Sequence, residues 1–500
     1  MKNNFLFLLI FNFSFLLSGN FKLKNSNSIF KVSSGSNFIL DKSMNSIKGK
    51  VIKDSDAQIS GLDIDFEEGT FQDDTTKVKM TGKLDFGDLK KIILNGGKTF
   101  QGKRGQVLQT INITGTDNIV EGVLFTVNDI ELQDENTKVS FDIRNRLDAN
   151  IKLNNGSLSL EEDLYFLDDK RLIGPGKIYL NGHKLSLGAK RLAWQEPIYF
   201  YSASDIELNS NTDLENVWSF SGYSILNGNN NLLCLCCDRA IEIKEESTLL
   251  LKDITLCGLS EDRIRCTSNN SKIIIQNAKI VLDGNFTFSI GALEFLNYVE
   301  FIGNDHKFIY ESETTSTIRN NSFVCFSNNL TFSYAPKNDS RDLLVFEDFS
   351  SKMCLDSANF FVGKTGISLL NGELFVNGFS TLASQDTFFS YLSTGTPNGF
   401  NFGNSNYIND FALNILQNSI LNLSRGSINY KNILDASLKM ATYGSILGVA
   451  SGAHFNYYQN LDLKKGKLVF EQGAWMRKVS DKVLVGTTEF NGKINFGLLN

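Results

Sequence analysis

Between Ser247 and Gly303 the apolar and polar positions fall into one short phrase written three times. The first copy runs Ser247-Thr-Leu249-Leu-Leu251-Lys-Asp253-Ile254-Thr-Leu256-Cys-Gly258. The second runs Ser271-Lys-Ile273-Ile-Ile275-Gln-Asn277-Ala278-Lys-Ile280-Val-Leu282-Asp-Gly284. The third runs Gly291-Ala-Leu293-Glu-Phe295-Leu-Asn297-Tyr298-Val299-Glu-Phe301-Ile-Gly303. In each copy an alternating apolar pair is followed by Asp or Asn, then by a second alternating pair, then by Gly. That order predicts strand, bend, strand, turn.

Alternation with a period of two places successive side chains on opposite faces of a strand. The three copies start 24 and 20 residues apart. A repeat of about 20 residues points to a β-solenoid, in which each coil stacks on the one before. The recurring Asp or Asn agrees, because these residues tolerate the left-handed backbone region that a sharp bend between strands requires. Looser copies stand at Lys177 to Gly188, Ser351 to Ser357 and Gly372 to Gly378. A sandwich or barrel would also alternate, so the near-constant spacing is what separates the two readings.

The phrase resembles the coils of right-handed parallel β-helix proteins, the pectate-lyase-like superfamily that also holds the passenger regions of bacterial adhesins and polymorphic outer membrane proteins. The resemblance covers Lys91 to Ser384 and is one of pattern. It implies an all-β chain folded as a right-handed parallel β-helix (β-solenoid), and an exported role in structure or adhesion at a bacterial cell surface. The Gly-Gly-Ala-aliphatic repeat of the polymorphic proteins is absent. Their Phe-x-x-Asn repeat begins at Phe125, Phe301, Phe326 and Phe411, as often as the Phe and Asn content alone would place it.

A chain of 500 residues is long for one compact core, but a solenoid grows by adding coils. Met1 to Gly19 has a short charged start and an apolar run from Phe5 to Ser18, which reads as a secretory signal peptide, with an uncleaved anchor as the alternative. Residues 20–56 read as a polar leader or N-terminal cap, which a solenoid needs to cover its first strand edge. Residues 57–393 read as the parallel β-helix. Residues 394–500 read as its continuation or a C-terminal cap, after a stretch from Thr394 to Asp410 dense in Gly, Asn and aromatics. No later apolar stretch is long enough to cross a bilayer as a helix. Trp194 to Phe200, which contains Pro197, reads as a longer loop or edge segment. Glu311 to Ser316 and Ala335 to Asp342 read as insertions, which in a solenoid emerge on one side, where binding usually happens.

Composition changes this picture little. Only 4 Pro against 40 Gly and 54 Asn suits strands joined by Gly and Asn turns. A net charge of -6 without long basic runs excludes a nucleic-acid footprint. The expected partners are host or cell-surface glycans or proteins. All 7 Cys lie between Cys234 and Cys354. They read as small apolar residues inside successive coils, as a disulfide such as Cys257 with Cys266, or as part of a metal site at Cys234 and Cys237 that lacks a second ligand pair.

Polysaccharide cleavage is the enzymatic alternative, as a lyase or glycoside hydrolase on the same scaffold, and fold alone does not confer it. The acidic clusters Asp73-Asp74, Glu161-Glu162-Asp163, Asp168-Asp169 and Glu245-Glu246 each fall in a predicted turn, where solvated charge belongs. The catalytic set of polygalacturonases is echoed only at Gly182-His183-Lys184 and Arg263-Ile-Arg265, about four coils apart. A lyase site would need acids and an Arg or Lys from adjacent coils, with Glu261 to Arg265 as the place to look. His183, His306 and His454 stand far apart without metal-ligand spacing. Catalytic residues, cofactor and metal are therefore all assigned as none. A second alternative, an outer-membrane β-barrel, needs antiparallel strands with an outward apolar band.

Overall fold

The computed structural model describes residues 15–17, 22–32, 37–40, 45–53, 58–61, 64–73, 84–85, 89–97, 99–102, 107–123, 125–144, 146–384, 399–403, 411–430 and 438–498. Among these residues the chain is all-β and its strands stack in parallel as a β-solenoid. Parallel ladders of this kind differ from the antiparallel meander of an outer-membrane barrel. No helix among the described residues is long and apolar enough to cross a membrane. The chain divides into two units, Met1–Leu226 and Asn227–Asn500.

In the second unit the three phrases pair in the register that their spacing predicts. Leu249 is the register partner of Ile273, and Ile273 of Leu293. After the bend, a second column holds Leu256, Ile280, Phe301, Phe326, Leu355, Val376, Ile415 and Met440, one residue per coil. On a third side, Phe286, Phe308, Phe332, Phe360 and Leu382 form another. All of these are buried. Each coil thus has three strands, and each inward position meets its own kind above and below. The phenylalanine column is continuous: ring centroids lie 5.3 Å apart for Phe286 and Phe308, 5.3 Å for Phe308 and Phe332, and 5.1 Å for Phe332 and Phe360.

The bends behave as the sequence implies. Asp253, Asn277 and Asn297 have φ of 48°, 49° and 57°, the left-handed region that Asp and Asn enter at low cost. The bends also link coils: Asn277 Nδ2 donates to Asp253 Oδ1 at 3.0 Å, and the Asn297 backbone N–H donates to Ser322 Oγ at 2.9 Å. The closing glycine of the third copy has a packing reason, since a methyl added at Gly303 would lie 2.3 Å from Leu330 Cα.

The first unit follows the same plan. Thr99–Gly102, Asn118–Val123, Lys138–Arg144, Ser157–Leu160, Gly176–Tyr179, Ile198–Tyr201 and Trp218–Phe220 form one parallel face in chain order. Trp194 to Phe200 differs from the loop or edge expected. Ala193–Trp194 and Ile198–Tyr201 are paired strands, and Pro197 sits in the connection between them, where no ladder hydrogen bond is lost. Trp194 and Phe200 are buried against Trp218, with centroids 5.6 and 5.7 Å away.

At the N-terminus, the expected signal peptide lies largely outside the described residues; its Phe15–Leu17 pairs in parallel with Asn37–Leu40. Within the expected leader, Lys22–Val32 pairs with Asn45–Lys53, also in parallel. The expected boundary from Thr394 to Asp410 lies mostly outside the described residues. On both sides of it the ladders continue, Ile367–Leu369 with Phe400–Phe402 and Phe400–Phe402 with Ser427–Tyr430. Here the columns include a polar one. Asn429 Nδ2 donates to Asn401 Oδ1 at 3.1 Å and Asn456 Nδ2 to Asn429 Oδ1 at 2.7 Å, all three residues being buried.

Two substitutions test this account. Phe332→Ala removes a ring from the middle of the column and is expected to cost about 3–5 kcal/mol, read as a lower urea midpoint. Asn277→Ala places an alanine in the left-handed region and is expected to cost about 1 kcal/mol, whereas Asn277→Gly costs less than half as much. Equal effects of the two Asn277 changes would show that the bend does not depend on backbone preference.

Candidate functional site

The side chains that face out from the strands also stack with a period of one coil, and this brings charged groups together from distant parts of the sequence. In the second unit, Lys272 Nζ donates to Glu294 Oε2 at 3.1 Å and Arg319 Nε donates to Glu294 Oε1 at 2.7 Å. Arg319 Nη1 then reaches Glu347 Oε1 at 3.0 Å. The result is a chain of alternating sign, Lys272, Glu294, Arg319, Glu347, in which Glu294 is reached diagonally, its own register partners being Ile274 and Thr317. A second cluster joins Arg265 Nε to Glu242 Oε2 at 3.0 Å, with Lys244 Nζ on the other carboxylate oxygen. In the first unit, Lys152 binds Asp129 and Glu131 at 3.1 and 2.7 Å, and Lys184 binds Glu207 at 3.0 Å.

Glu242 and Glu294 are nearly buried, at 7% and 8% exposure. Burial pushes each carboxyl up, but hydrogen bonds from Lys244 and Arg265, and from Arg319 and Lys272, outweigh it. The net effect holds both below the ordinary carboxylate range. Such groups stay ionised near neutrality. A general acid for glycosidic cleavage needs the opposite shift, and acid–base pairs are marked by environments that push two pKa values apart.

In Glu261 to Arg265, the region singled out for a lyase, Arg263 Nη1 lies 3.9 Å from Asp283 Oδ2. Arg263 Nη1 donates to the carbonyls of Leu235 and Gly258 at 2.7 and 2.6 Å, and Arg265 is engaged by Glu242. Glu261 is exposed in the turn that precedes them.

The acidic clusters within the described residues lie in turns or bends, as their neighbours imply. Glu161, Glu162, Asp168, Asp169, Glu245 and Glu246 are exposed. Asp163 accepts the Lys184 backbone N–H at 2.8 Å, with His183 Nδ1 3.7 Å away. Asp73 ends the strand Ile64–Asp73, and Asp74 lies outside the described residues. Among the described residues no three His, Cys, Asp or Glu side chains are grouped as metal ligands. His454 is buried and stacked on Trp475 at 5.6 Å; burial, aided by the nearby Arg477 charge, lowers its pKa to about 4. It is neutral under ordinary conditions.

The insertions expected at Glu311 to Ser316 and Ala335 to Asp342 emerge at the same corner of successive coils, after Lys307–Tyr310 and Thr331–Tyr334, which pair with each other. Stacked tyrosines anchor them. The Tyr310 and Tyr334 rings lie 5.6 Å apart and nearly parallel; Tyr310 Oη donates to the Thr314 carbonyl and Tyr334 Oη to the Ser340 carbonyl at 2.9 Å. Lys337 of one loop lies 3.6 Å from Glu311 of the other. At its base this corner is tied to the preceding coil, with Ser312 Oγ donating to the Gly291 carbonyl at 2.6 Å and the Leu293 N–H donating to Ser316 Oγ at 2.8 Å, while Glu313 and Lys337 to Asp339 stand exposed beyond it.

The cysteines divide. Cys257 bonds to Cys234, its register partner one coil earlier, in place of the Cys266 proposed from sequence. Of the other five, Cys266, Cys325 and Cys354 are buried, while Cys236 is exposed and Cys237 half-buried, so the expectation of packing inside the coils does not hold for Cys236 and Cys237. Cys325 and Cys354 alternate with the inward Val324, Phe326, Met353 and Leu355.

By its geometry the chain is a parallel β-solenoid. No known protein family, curated protein or solved structure compared with it matches.

One prediction concerns the ion pairs of Glu294. Glu294→Gln is expected to lower stability by about 1–2 kcal/mol at pH 7. Because the folded-state pKa of Glu294 is depressed, its contribution is present above the ordinary value of 4.5 and lost as pH falls through the folded value. The gap between variant and wild type should therefore narrow progressively as pH is lowered below 4.5, measured as the difference in thermal midpoints. A gap unchanged by acid would remove the ion pair as its cause.

Proposed function

We propose that this is an exported, non-catalytic β-solenoid that acts as a surface-associated or secreted structural and adhesive protein. What carries the reading is the use made of the outward charges. The nearly buried acids of the coil surface are matched to cations of adjacent coils, while the loops gather at one corner. Matched ion pairs hold coils in register; loops raised on a rigid stack offer a surface for contact with glycans or proteins by shape and polar bonding. The resemblance to adhesin passengers and the apolar run from Phe5 to Ser18 support export.

Fractionation of the native cells tests the placement. The protein is expected in the medium or on the outer surface, where added protease removes it from intact cells; retention in the cytoplasmic fraction refutes export. Adhesion is tested by replacing residues 337–341 with a Gly-Ser turn. Loss of binding to glycan- or protein-coated surfaces, with the circular dichroism of the folded chain retained, is the expected result. Equal binding by both chains would exclude this corner as the contact surface.

A further inference from the structure

Cys325 and Cys354 are direct register partners on Phe323–Ser327 and Lys352–Asp356. Val324 and Phe326 on one strand, and Met353 and Leu355 on the other, belong to buried apolar columns. Alternation along a strand therefore places both cysteines on the opposite, outer side of the same sheet. Neighbouring parallel strands run about 4.8 Å apart, inside the Cα separation of about 4.4–6.8 Å that a disulfide spans. The same chain already bridges such a pair: Cys234 and Cys257 are register partners with a Cα separation of 4.6 Å. We propose that Cys325 and Cys354 are a second inter-coil disulfide site, closed when the folding chain meets a small-molecule disulfide oxidant.

The exchange balances. A thiolate at one cysteine attacks the oxidant's sulfur and displaces a thiolate, giving a mixed disulfide. The second cysteine, deprotonated in turn, attacks the protein sulfur of that intermediate and releases the other half of the oxidant. One protein S–S bond forms, the oxidant's S–S bond is reduced to two thiols, and the two protons lost by the cysteines end on them.

Burial sets the kinetics. Cys325 and Cys354 are 5% and 6% exposed. The hydrogen bond between the two thiols, together with burial, keeps the Cys325 proton on well above the ordinary thiol range. The thiolate is the attacking species, so the folded chain reacts slowly and closure belongs to folding or to local opening. Once closed, the bridge ties the two coils on either side of the loop at 335–343. Export would bring the pair into oxidising surroundings. Cys266, whose register partner is Ile243, is the internal control.

The test is refolding of the full chain from urea in a mixture of oxidised and reduced glutathione. Remaining thiols are then trapped with N-ethylmaleimide under denaturing conditions and the peptides mapped by mass spectrometry. A Cys325–Cys354 linked peptide is expected as a major product beside Cys234–Cys257. It should be lost on treatment with dithiothreitol, while Cys266 carries the maleimide. The proposal fails if Cys325 and Cys354 both carry maleimide where Cys234–Cys257 has formed, or if either is found joined to Cys266 or to glutathione instead. Because the wild-type chain gives the readout, no substitution has to fold for the result to count.

Discussion

The structure depends on in-register stacking of parallel strands. A backbone ladder fixes the distance between coils at about 4.8 Å, and every side chain is then obliged to sit against the residue at the same position one coil away. The phenylalanines from Phe286 to Phe360 and the mixed aliphatic and aromatic column from Leu256 to Met440 satisfy that obligation in the interior. Shape matters more than identity. Leu, Ile, Phe and Val succeed one another within a column, because two neighbours of slightly different size share a gap more easily than a neighbour and a void.

The same obligation decides which polar residues are tolerated. A bend that must be sharp in every coil recruits Asp or Asn, and its side chain then finds another Asx one coil away, as Asn277 finds Asp253 and Asn329 finds Asp305 at 3.0 Å. Asn401, Asn429 and Asn456 carry the principle into a buried column. There a single amide would be costly, but a file of amides supplies donors and acceptors to itself. On the outer side, stacking would set like charges face to face if sequence were indifferent to register. Lys272, Glu294 and Arg319 avoid this by meeting diagonally, since Glu294 has the uncharged Ile274 and Thr317 as its register partners.

What could be read beforehand follows from the range of each interaction. Leu249, Ile273 and Leu293 announce themselves because period-two alternation is local and the repeat is short; so do the bends at Asp253, Asn277 and Asn297. Glu242 and Glu294 were not singled out, because each looks like any other charged residue in a strand until the coil length is known. Then a residue 22 positions earlier, Lys272, and another 25 later, Arg319, become its nearest charges. The sequence offers Cys257 with Cys266 as one example of a disulfide beside core packing and a metal site, and the bridge forms elsewhere. Nine residues carry the chain to a different side of the coil, whereas the 23 between Cys234 and Cys257 return it to the same place. Trp194 to Phe200 was misread for a related reason: Pro197 forbids a ladder bond at one residue, and in a three-strand coil the corner supplies a position where none is needed.

These distances bear on what the scaffold can do. A parallel solenoid gathers residues one coil apart into long files, and chemistry on it requires a file in which neighbours are deliberately mismatched, such as two acids side by side or a cation deprived of its counterion. Around Glu242 and Glu294 the files are matched: each carboxylate is nearly buried, bound by two cations and held ionised. Groups bound in this way give mechanical coupling between coils, because shifting one coil against the next would break several ion pairs together. The free variation is left to the corner beyond Tyr310 and Tyr334, where each loop is anchored by a tyrosine hydroxyl to one of its own carbonyls and Glu313 and Lys337 to Asp339 stand exposed. Rigidity along the files and latitude at the corner are the two properties that presenting a contact surface demands.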